Sequence, residues 1–112
     1  CIENYYFWRE ATEWRGTYAV QSEGDRLRRF RFLVETFIAS DGFMRINIKH
    51  AFSESIMKAI NGEAPLSATV FDNAIRSVFV LMAFDSLPRF QRSEIYKKHY
   101  QSSQFSVSEE DL

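Results

Sequence analysis

The sequence predicts an all-α domain. Hydrophobic residues recur every three or four positions along most of the chain, which is the spacing of one face of a helix. Short clusters of glycine, asparagine, aspartate and proline separate these segments and are typical of turns. Of the 112 residues, 46% are hydrophobic and 16% are aromatic, so the chain can fill one core.

The first two helices are predicted over residues 2–16 and 25–39. The stripe of the first helix consists of Asn4, Phe7, Trp8, Ala11 and Trp14. Gly16 weakens or ends this helix. The apolar face of the second helix consists of Leu27, Phe30, Val34, Phe37 and Ile38. The Asp41-Gly42 pair then indicates a turn.

A third helix is predicted from Asn47 to Ile60, with a short break near Ser53 left open, and it ends before Asn61-Gly62. Residues 63–68 form the clearest loop. The segment 69–72 has the form of a capping box, with aspartate where glutamate or glutamine is usual, and predicts the start of a fourth helix. The apolar residues that share one face of that helix are Phe71, Ile75, Val78, Phe79 and Met82.

The fourth helix leads into a polar corner, Asp85 to Phe90. Its aspartate and serine can cap a following short helix, whose first turn tolerates Pro88 because first-turn amides lack intrahelical partners. A last helix is predicted from Ser93 to Tyr100. The serine-rich, acidic residues 101–112 are predicted to form a tail or linker. From these residues alone, the corner is either simple capping or a contact surface for a partner.

The sequence contains no evident catalytic or metal-binding constellation. A net charge of -1 argues against broad electrostatic binding to nucleic acid, one cysteine excludes an internal disulfide, and two histidines make no zinc-type cluster. There is no P-loop, dinucleotide-binding turn or nucleophile elbow. No apolar run reaches membrane-spanning length. These observations favour a domain that binds another protein, without a metal or cofactor.

Two segments together resemble the regulator of G-protein signalling (RGS) box. They are ENYYFW at residues 3–8 and LMAFDSLPRF at residues 81–90. The resemblance continues through FLVETFI at 32–38, RINI at 45–48, FDNAIRSVFV at 71–80 and RSEIY at 92–96. It implies an RGS-type helical bundle over residues 1–100, with a central antiparallel four-helix bundle and short terminal helices.

This resemblance implies a GTPase-activating protein for heterotrimeric G-protein α subunits. Such a domain binds the switch regions of the GTP-bound or transition-state form and stabilises them for hydrolysis. It supplies no bond-making residue because the α subunit carries its own arginine, so the chain is not itself an enzyme. The implied location is the cytoplasm, with the inner face of the plasma membrane as a further expectation.

The resemblance also assigns residues to the partner-binding surface. Its first edge is Glu3 and Asn4, and its second edge consists of Leu81, Asp85, Ser86 and Arg89. Asp85 would accept hydrogen bonds from the switch region while Arg89 holds its carboxylate in position. The positions assigned to the core are Phe7, Trp8, Phe71 and Phe90.

Two departures from the family pattern bear on these assignments. The resemblance implies an asparagine in the loop after the third helix, where this chain has Ala59, so the nearby Asn61 is the predicted contact. The family also has short helices before ENYYFW, and we expect this sequence to be a box that lacks them. Apolar surface near Leu87, Phe90 and Tyr96 would then be exposed, with dimerisation as one outcome.

Two alternative functions stay open: a catalytically silent RGS-like scaffold, and a general helical interaction domain or a piece of an enzyme. The cationic run Arg26, Arg28, Arg29 and Arg31 also allows two interpretations. It is either a solvated helix face or a contact with anionic lipid headgroups, and the acidic residues that flank it favour the first.

Overall fold

The computed structural model describes residues 2–85, the last of them by its backbone alone. Four α-helices lie in the predicted order: α1 (Ile2–Thr17), α2 (Glu23–Leu33), α3 (His50–Ile60) and α4 (Asp72–Asp85). A π-helical segment, Val34–Ile38, continues α2. Residues 2–85 contain no strand, which confirms the all-α prediction. The predictions for Cys1 and for residues 86–112, including Leu87, Phe90 and Tyr96, lie outside the described residues.

One aromatic cluster joins the helices. The Phe71 ring lies 5.7 Å from Phe7, 5.3 Å from Trp14 and 5.5 Å from Phe30, measured between ring centroids. The Phe7 ring also lies 5.5 Å from that of Phe37 in the π-helical segment. All five side chains are buried. The core assignments of Phe7, Trp8 and Phe71 are therefore confirmed.

Helices α1 and α4 run antiparallel. Helix α1 packs more extensively on α4 than on any other element. The end of α1 meets the start of α4, because Arg15 Nε lies 3.2 Å from Asp72 Oδ1. Two helices that meet in this way and pack along their lengths must run in opposite directions. The end of α4 near Leu81 therefore lies beside the first turn of α1.

Leu27, predicted on the apolar face of the second helix, does not share the burial of the other members of that face. It is 44% exposed, whereas Leu33, absent from the predicted face, is 0% exposed. The adjacent Arg26 faces the turn that follows α1, where its Nε donates to the carbonyl of Tyr18 at 2.9 Å and its guanidinium covers the Tyr18 ring at 4.3 Å. Because successive helical residues are turned by about 100°, Leu27 is directed away from that contact.

The loop after the π-helical segment folds back onto the end of that segment. The amide of Met44 donates to the carbonyl of Thr36 at 3.0 Å, and that of Ile46 donates to the carbonyl of Phe37 at 2.9 Å. Carbonyls at a helix end lack intrahelical donors, and this loop supplies them. Residues 45–49 are therefore extended, and α3 begins at His50 rather than at Asn47 as predicted.

Gly42 is required by the close approach of this loop. A Cβ atom at Gly42 would lie 2.6 Å from the carbonyl oxygen of Thr36. We expect Gly42→Ala to lower the free energy of unfolding by about 1–3 kcal/mol, measured by urea denaturation. Gly16→Ala is the matched control. Nothing lies within 4 Å of the Cβ position there. The alanine should raise stability by up to about 1 kcal/mol, because Gly16 lies inside α1. Equal effects of the two variants would contradict the proposed clash.

The end of α3 is a glycine-terminated helix cap. Asn61 is the C-cap residue, and Gly62 follows with a φ of 79°. The amide of Glu63 donates to the carbonyl of Lys58 at 2.9 Å, and that of Gly62 donates to the carbonyl of Ala59 at 3.3 Å. This pair of bonds is the Schellman arrangement. It confirms the predicted stop at Asn61-Gly62, and α3 is continuous through Ser53.

The predicted capping box before α4 is wrong. The Thr69 hydroxyl lies 3.0 Å from that of Ser67, and the amide of Asp72 donates to the backbone carbonyl of Thr69 at 3.0 Å. The Asp72 carboxylate turns instead towards Arg15 of α1, at an ion-pair distance whose angle makes no hydrogen bond. Burial raises the pKa of Asp72, while Arg15 acts in the opposite direction.

Candidate partner-binding surface

The first turn of α1 carries the predicted first edge, Glu3 and Asn4. Both side chains are partly exposed. The backbone N–H of Glu3 is hydrogen-bonded to its carboxylate, which lowers the pKa of that carboxyl. An ionised carboxylate is also favoured at a helix N-terminus. Glu3 can therefore only accept hydrogen bonds, whereas the Asn4 amide can donate and accept them.

This edge rests on a rigid helix. Phe7 follows Asn4 by one turn, on the same face, and its ring packs in the aromatic cluster. On the outer side of the helix, the Arg9 guanidinium lies 5.7 Å from the ring centre of Tyr5 and 5.0 Å from that of Tyr6. The backbone at Glu3 and Asn4 is thus held in place before any partner binds.

The second edge begins at Leu81, which is half-buried between the buried residues Val80 and Ala83. Because α4 runs antiparallel to α1, this end of α4 lies on the same side of the bundle as Glu3 and Asn4. Asp85 is the last residue of α4. Its side chain, together with Ser86 and Arg89, lies outside the described residues, so these three assignments stay predictions.

Asn61 is exposed at the end of α3, where the glycine cap fixes its backbone. Its contact with a partner, together with the edges on α1 and α4, stays a prediction. Ala59, two residues earlier and inside α3, is half-buried against the core.

Asn47 is a candidate that the sequence analysis missed. Its side chain is exposed on the extended segment before α3. The preceding residue, Ile46, donates its amide to the carbonyl of Phe37, and the Phe37 ring contacts Phe7 one turn after Asn4. These contacts link the backbone next to Asn47, through Phe37, to the second turn of α1. The sequence signal for this candidate was the alternation of polar and apolar residues in RINI at 45–48, which is typical of an extended chain rather than of a helix.

The cationic run of α2 is largely paired within the domain. Arg26 donates to the carbonyls of Tyr18 and Gln21, each at 2.9 Å. Arg28 pairs with Asp25, and Arg29 lies 3.6 Å from Glu10. These contacts favour the interpretation of the run as a solvated helix face with structural roles over a lipid-binding patch.

Comparison with known proteins gives a consistent result. The family profile described as the regulator of G protein signaling domain matches residues 1–99. Regulator of G-protein signaling 5 of Sus scrofa is 33% identical over 96 residues, 86% of this chain and 50% of that protein. Regulator of G-protein signaling 21 of Homo sapiens is 34% identical over 103 residues, 91% of this chain and 63% of that protein. Regulator of G-protein signaling 1 of Equus caballus is 37% identical over 95 residues, 84% of this chain and 44% of that protein.

The structure defines an all-α domain of packed helices. The family match covers most of the chain, and the chain belongs to the regulator of G-protein signalling (RGS) domain family. It spans about half the length of the curated relatives that it matches.

Two further observations concern residues 2–85 alone. No helix there is long and apolar enough to cross a membrane. The same residues contain no group of three or more histidine, cysteine, aspartate or glutamate side chains that could hold a metal ion.

Proposed function

We propose that this domain is a GTPase-activating protein for α subunits of heterotrimeric G proteins. The observation that carries the proposal is the antiparallel packing of α1 on α4. It brings the helix end with Glu3 and Asn4 to the same side of the bundle as the end of α4, which leads to the second predicted edge. The membership of the RGS family indicates what such a surface binds.

The proposed mechanism is preorganisation of the partner. The attacking water, the glutamine that orients it and the arginine that stabilises the transition state all belong to the α subunit. A rigid surface that binds the switch regions in their hydrolysis conformation lowers the barrier without new covalent chemistry. In this proposal, Glu3 accepts hydrogen bonds from the switch backbone, and Asn4 and Asn47 offer amides that donate and accept.

The experiment is single-turnover hydrolysis of GTP by a panel of α subunits, with and without the chain. We expect the rate constant to rise about tenfold or more for at least one α subunit, which is about 1.4 kcal/mol less in activation free energy. We also expect tighter binding to the GDP·aluminium fluoride form, which mimics the transition state, than to the GDP form. A folded chain that accelerates none of the panel would contradict the proposal.

A catalytically silent scaffold is the second candidate, and Ala59 is the observation that favours it. Ala59, which the sequence comparison aligned with the implied asparagine, lies inside α3, and its side chain has no hydrogen-bonding group. A scaffold therefore follows if Asn47 does not supply the loop contact. A scaffold would bind the aluminium fluoride form without accelerating hydrolysis. The two measurements together separate the two functions.

A further inference from the structure

The segment that contains Asn47 presents a regular outward row. Along residues 43–49, exposed and inward side chains alternate strictly. The exposed members are Phe43, Arg45, Asn47 and Lys49, and the inward members are Met44, Ile46 and Ile48. An extended chain places alternate side chains on one side, about 7 Å apart, and this applies to Arg45, Asn47 and Lys49. Phe43 is exposed in the turn that directly precedes them, and we call these four exposed residues the outer row.

The outer row has a fixed backbone. The amides of Met44 and Ile46 donate to carbonyls at the end of the π-helical segment, and the amide of Gly42 donates to the carbonyl of Ala39 at 2.9 Å. The close approach of Gly42 to Thr36 locks the turn before Phe43. A surface that is already ordered loses little conformational entropy when a partner binds.

Among residues 2–85, no contact in the fold accounts for the placement of Phe43 and Arg45. Phe43 is 92% exposed, so its ring contributes almost nothing to the core. Arg45 lines a groove of about 600 Å³ with Asp41, Glu54 and Met57. Glu54 instead pairs with His50 at 3.1 Å and Lys58 at 3.7 Å. Arg45 therefore has no carboxylate partner among residues 2–85. Aromatic residues and arginine are enriched at the centres of protein interfaces.

We propose that Phe43 and Arg45 form a docking anchor for the α subunit, next to the contact made by Asn47. The anchor selects α subunits that present an apolar depression beside an acidic side chain at this place. This inference rests on the proposed function, because the outer row continues the same surface through Asn47. It concerns affinity and partner choice: the anchor lies beside the switch contacts and leaves the rate of the bound complex unchanged.

The test is the dependence of the single-turnover rate on the concentration of the chain. For Phe43→Ala and Arg45→Glu, we expect the half-saturating concentration to rise about fivefold or more with an unchanged plateau rate. The effect of Arg45→Glu should shrink as ionic strength is raised, because salt screens the charge pair. The matched controls are Phe32→Ala and Arg31→Glu, which alter exposed side chains on α2. The half-saturating concentrations of these control variants should stay within about twofold of that of the unmodified chain.

The outcomes separate this inference from the proposed function. If the unmodified chain accelerates hydrolysis and both outer-row variants behave as their controls do, the anchor is wrong and the function stands. If the unmodified chain does not accelerate GTP hydrolysis by any α subunit of the panel, the proposed function and the docking anchor are both wrong. Circular dichroism and urea midpoints equal to those of the unmodified chain establish that the variants are folded. A smaller rise in the half-saturating concentration for Arg45→Ala than for Arg45→Glu would support a contact between Arg45 and a negative charge on the α subunit.

Discussion

Trp14→Ala is expected to lower the free energy of unfolding by about 3–5 kcal/mol. Small domains have a total stability of about 5–15 kcal/mol, so this loss is a large fraction of the total. Trp14 is 0% exposed. Its ring lies 5.1 Å from Tyr18, 5.7 Å from Phe30 and 5.3 Å from Phe71, so its removal opens a cavity where α1, α2 and the start of α4 meet.

A hydrogen bond adds to the effect of the cavity. Trp14 Nε1 donates to the backbone carbonyl of Arg26 at 3.1 Å. Trp14→Phe keeps an aromatic ring but leaves that carbonyl without its donor, and we expect an intermediate loss of about 1–3 kcal/mol. Urea denaturation followed by far-ultraviolet circular dichroism measures both variants without relying on tryptophan fluorescence. Val20→Ala is the control, because Val20 is 84% exposed and its truncation should change stability by less than about 0.5 kcal/mol. A loss below 1 kcal/mol for Trp14→Ala would mean that the cluster can close around the cavity.

The helices were predictable because their signals are local. The spacing of Phe7, Trp8, Ala11 and Trp14 is a property of one segment, and all four are buried in the structure. The stop at Asn61-Gly62 was equally local, since only the conformation of Gly62 and the adjacent backbone is needed to end α3. Signals of this kind depend on the local sequence and need no information about the neighbouring helices.

The errors arose where a distant residue decides the local structure. Asp72 turns to Arg15 of α1 rather than back to residue 69, and no local window contains that arginine. The start of α3 was placed too early because the carbonyls of Thr36 and Phe37 hold the following loop extended. Leu27 satisfies the helical spacing, but the contact of Arg26 with Tyr18 sets the rotation of α2 at this point.

The residues of the candidate surface also fall into two groups: those that a local motif predicts and those that depend on distant contacts. Glu3 and Asn4 could be assigned from a motif, because the first turn of a helix presents its side chains predictably. Asn47 could not, since its importance comes from the contacts of Ile46 and Phe37 that bring it towards α1. The loop contact predicted at Asn61 stays a prediction, because Asn61 makes no described contact with α1 or α4.

Asn4→Ala is expected to raise the half-saturating concentration for GTPase activation about thirtyfold or more. Truncation of a residue at the centre of an interface costs about 2 kcal/mol or more, which corresponds to that factor. The free energy of unfolding should stay within about 0.5 kcal/mol, because the Asn4 side chain is partly exposed. Concentration-dependent single-turnover hydrolysis and urea denaturation of the same preparation measure the two effects.

Asn73→Ala is the matched control for this prediction. Asn73 is an exposed asparagine in the first turn of α4, at the opposite end of the α1–α4 pair from Asn4. The same substitution there removes an exposed amide from a helix start without touching the proposed surface. Its half-saturating concentration should stay within about twofold of that of the unmodified chain. A large effect at Asn73 would place the partner at the wrong end of the bundle for this proposal.

Asn47→Ala and Asn61→Ala then decide which loop completes the surface. The chain of contacts from Asn47 through Ile46 and Phe37 to Phe7 leads to the turn after Asn4. Residues that contact the same group of a partner show coupled losses, so Asn4→Ala and Asn47→Ala should combine non-additively if both bind one part of the switch region. Asn61→Ala should leave activation unchanged if Asn47 is the loop contact. The reverse pattern, with loss at Asn61 alone, would mean that the partner reaches past the α1 edge to the end of α3.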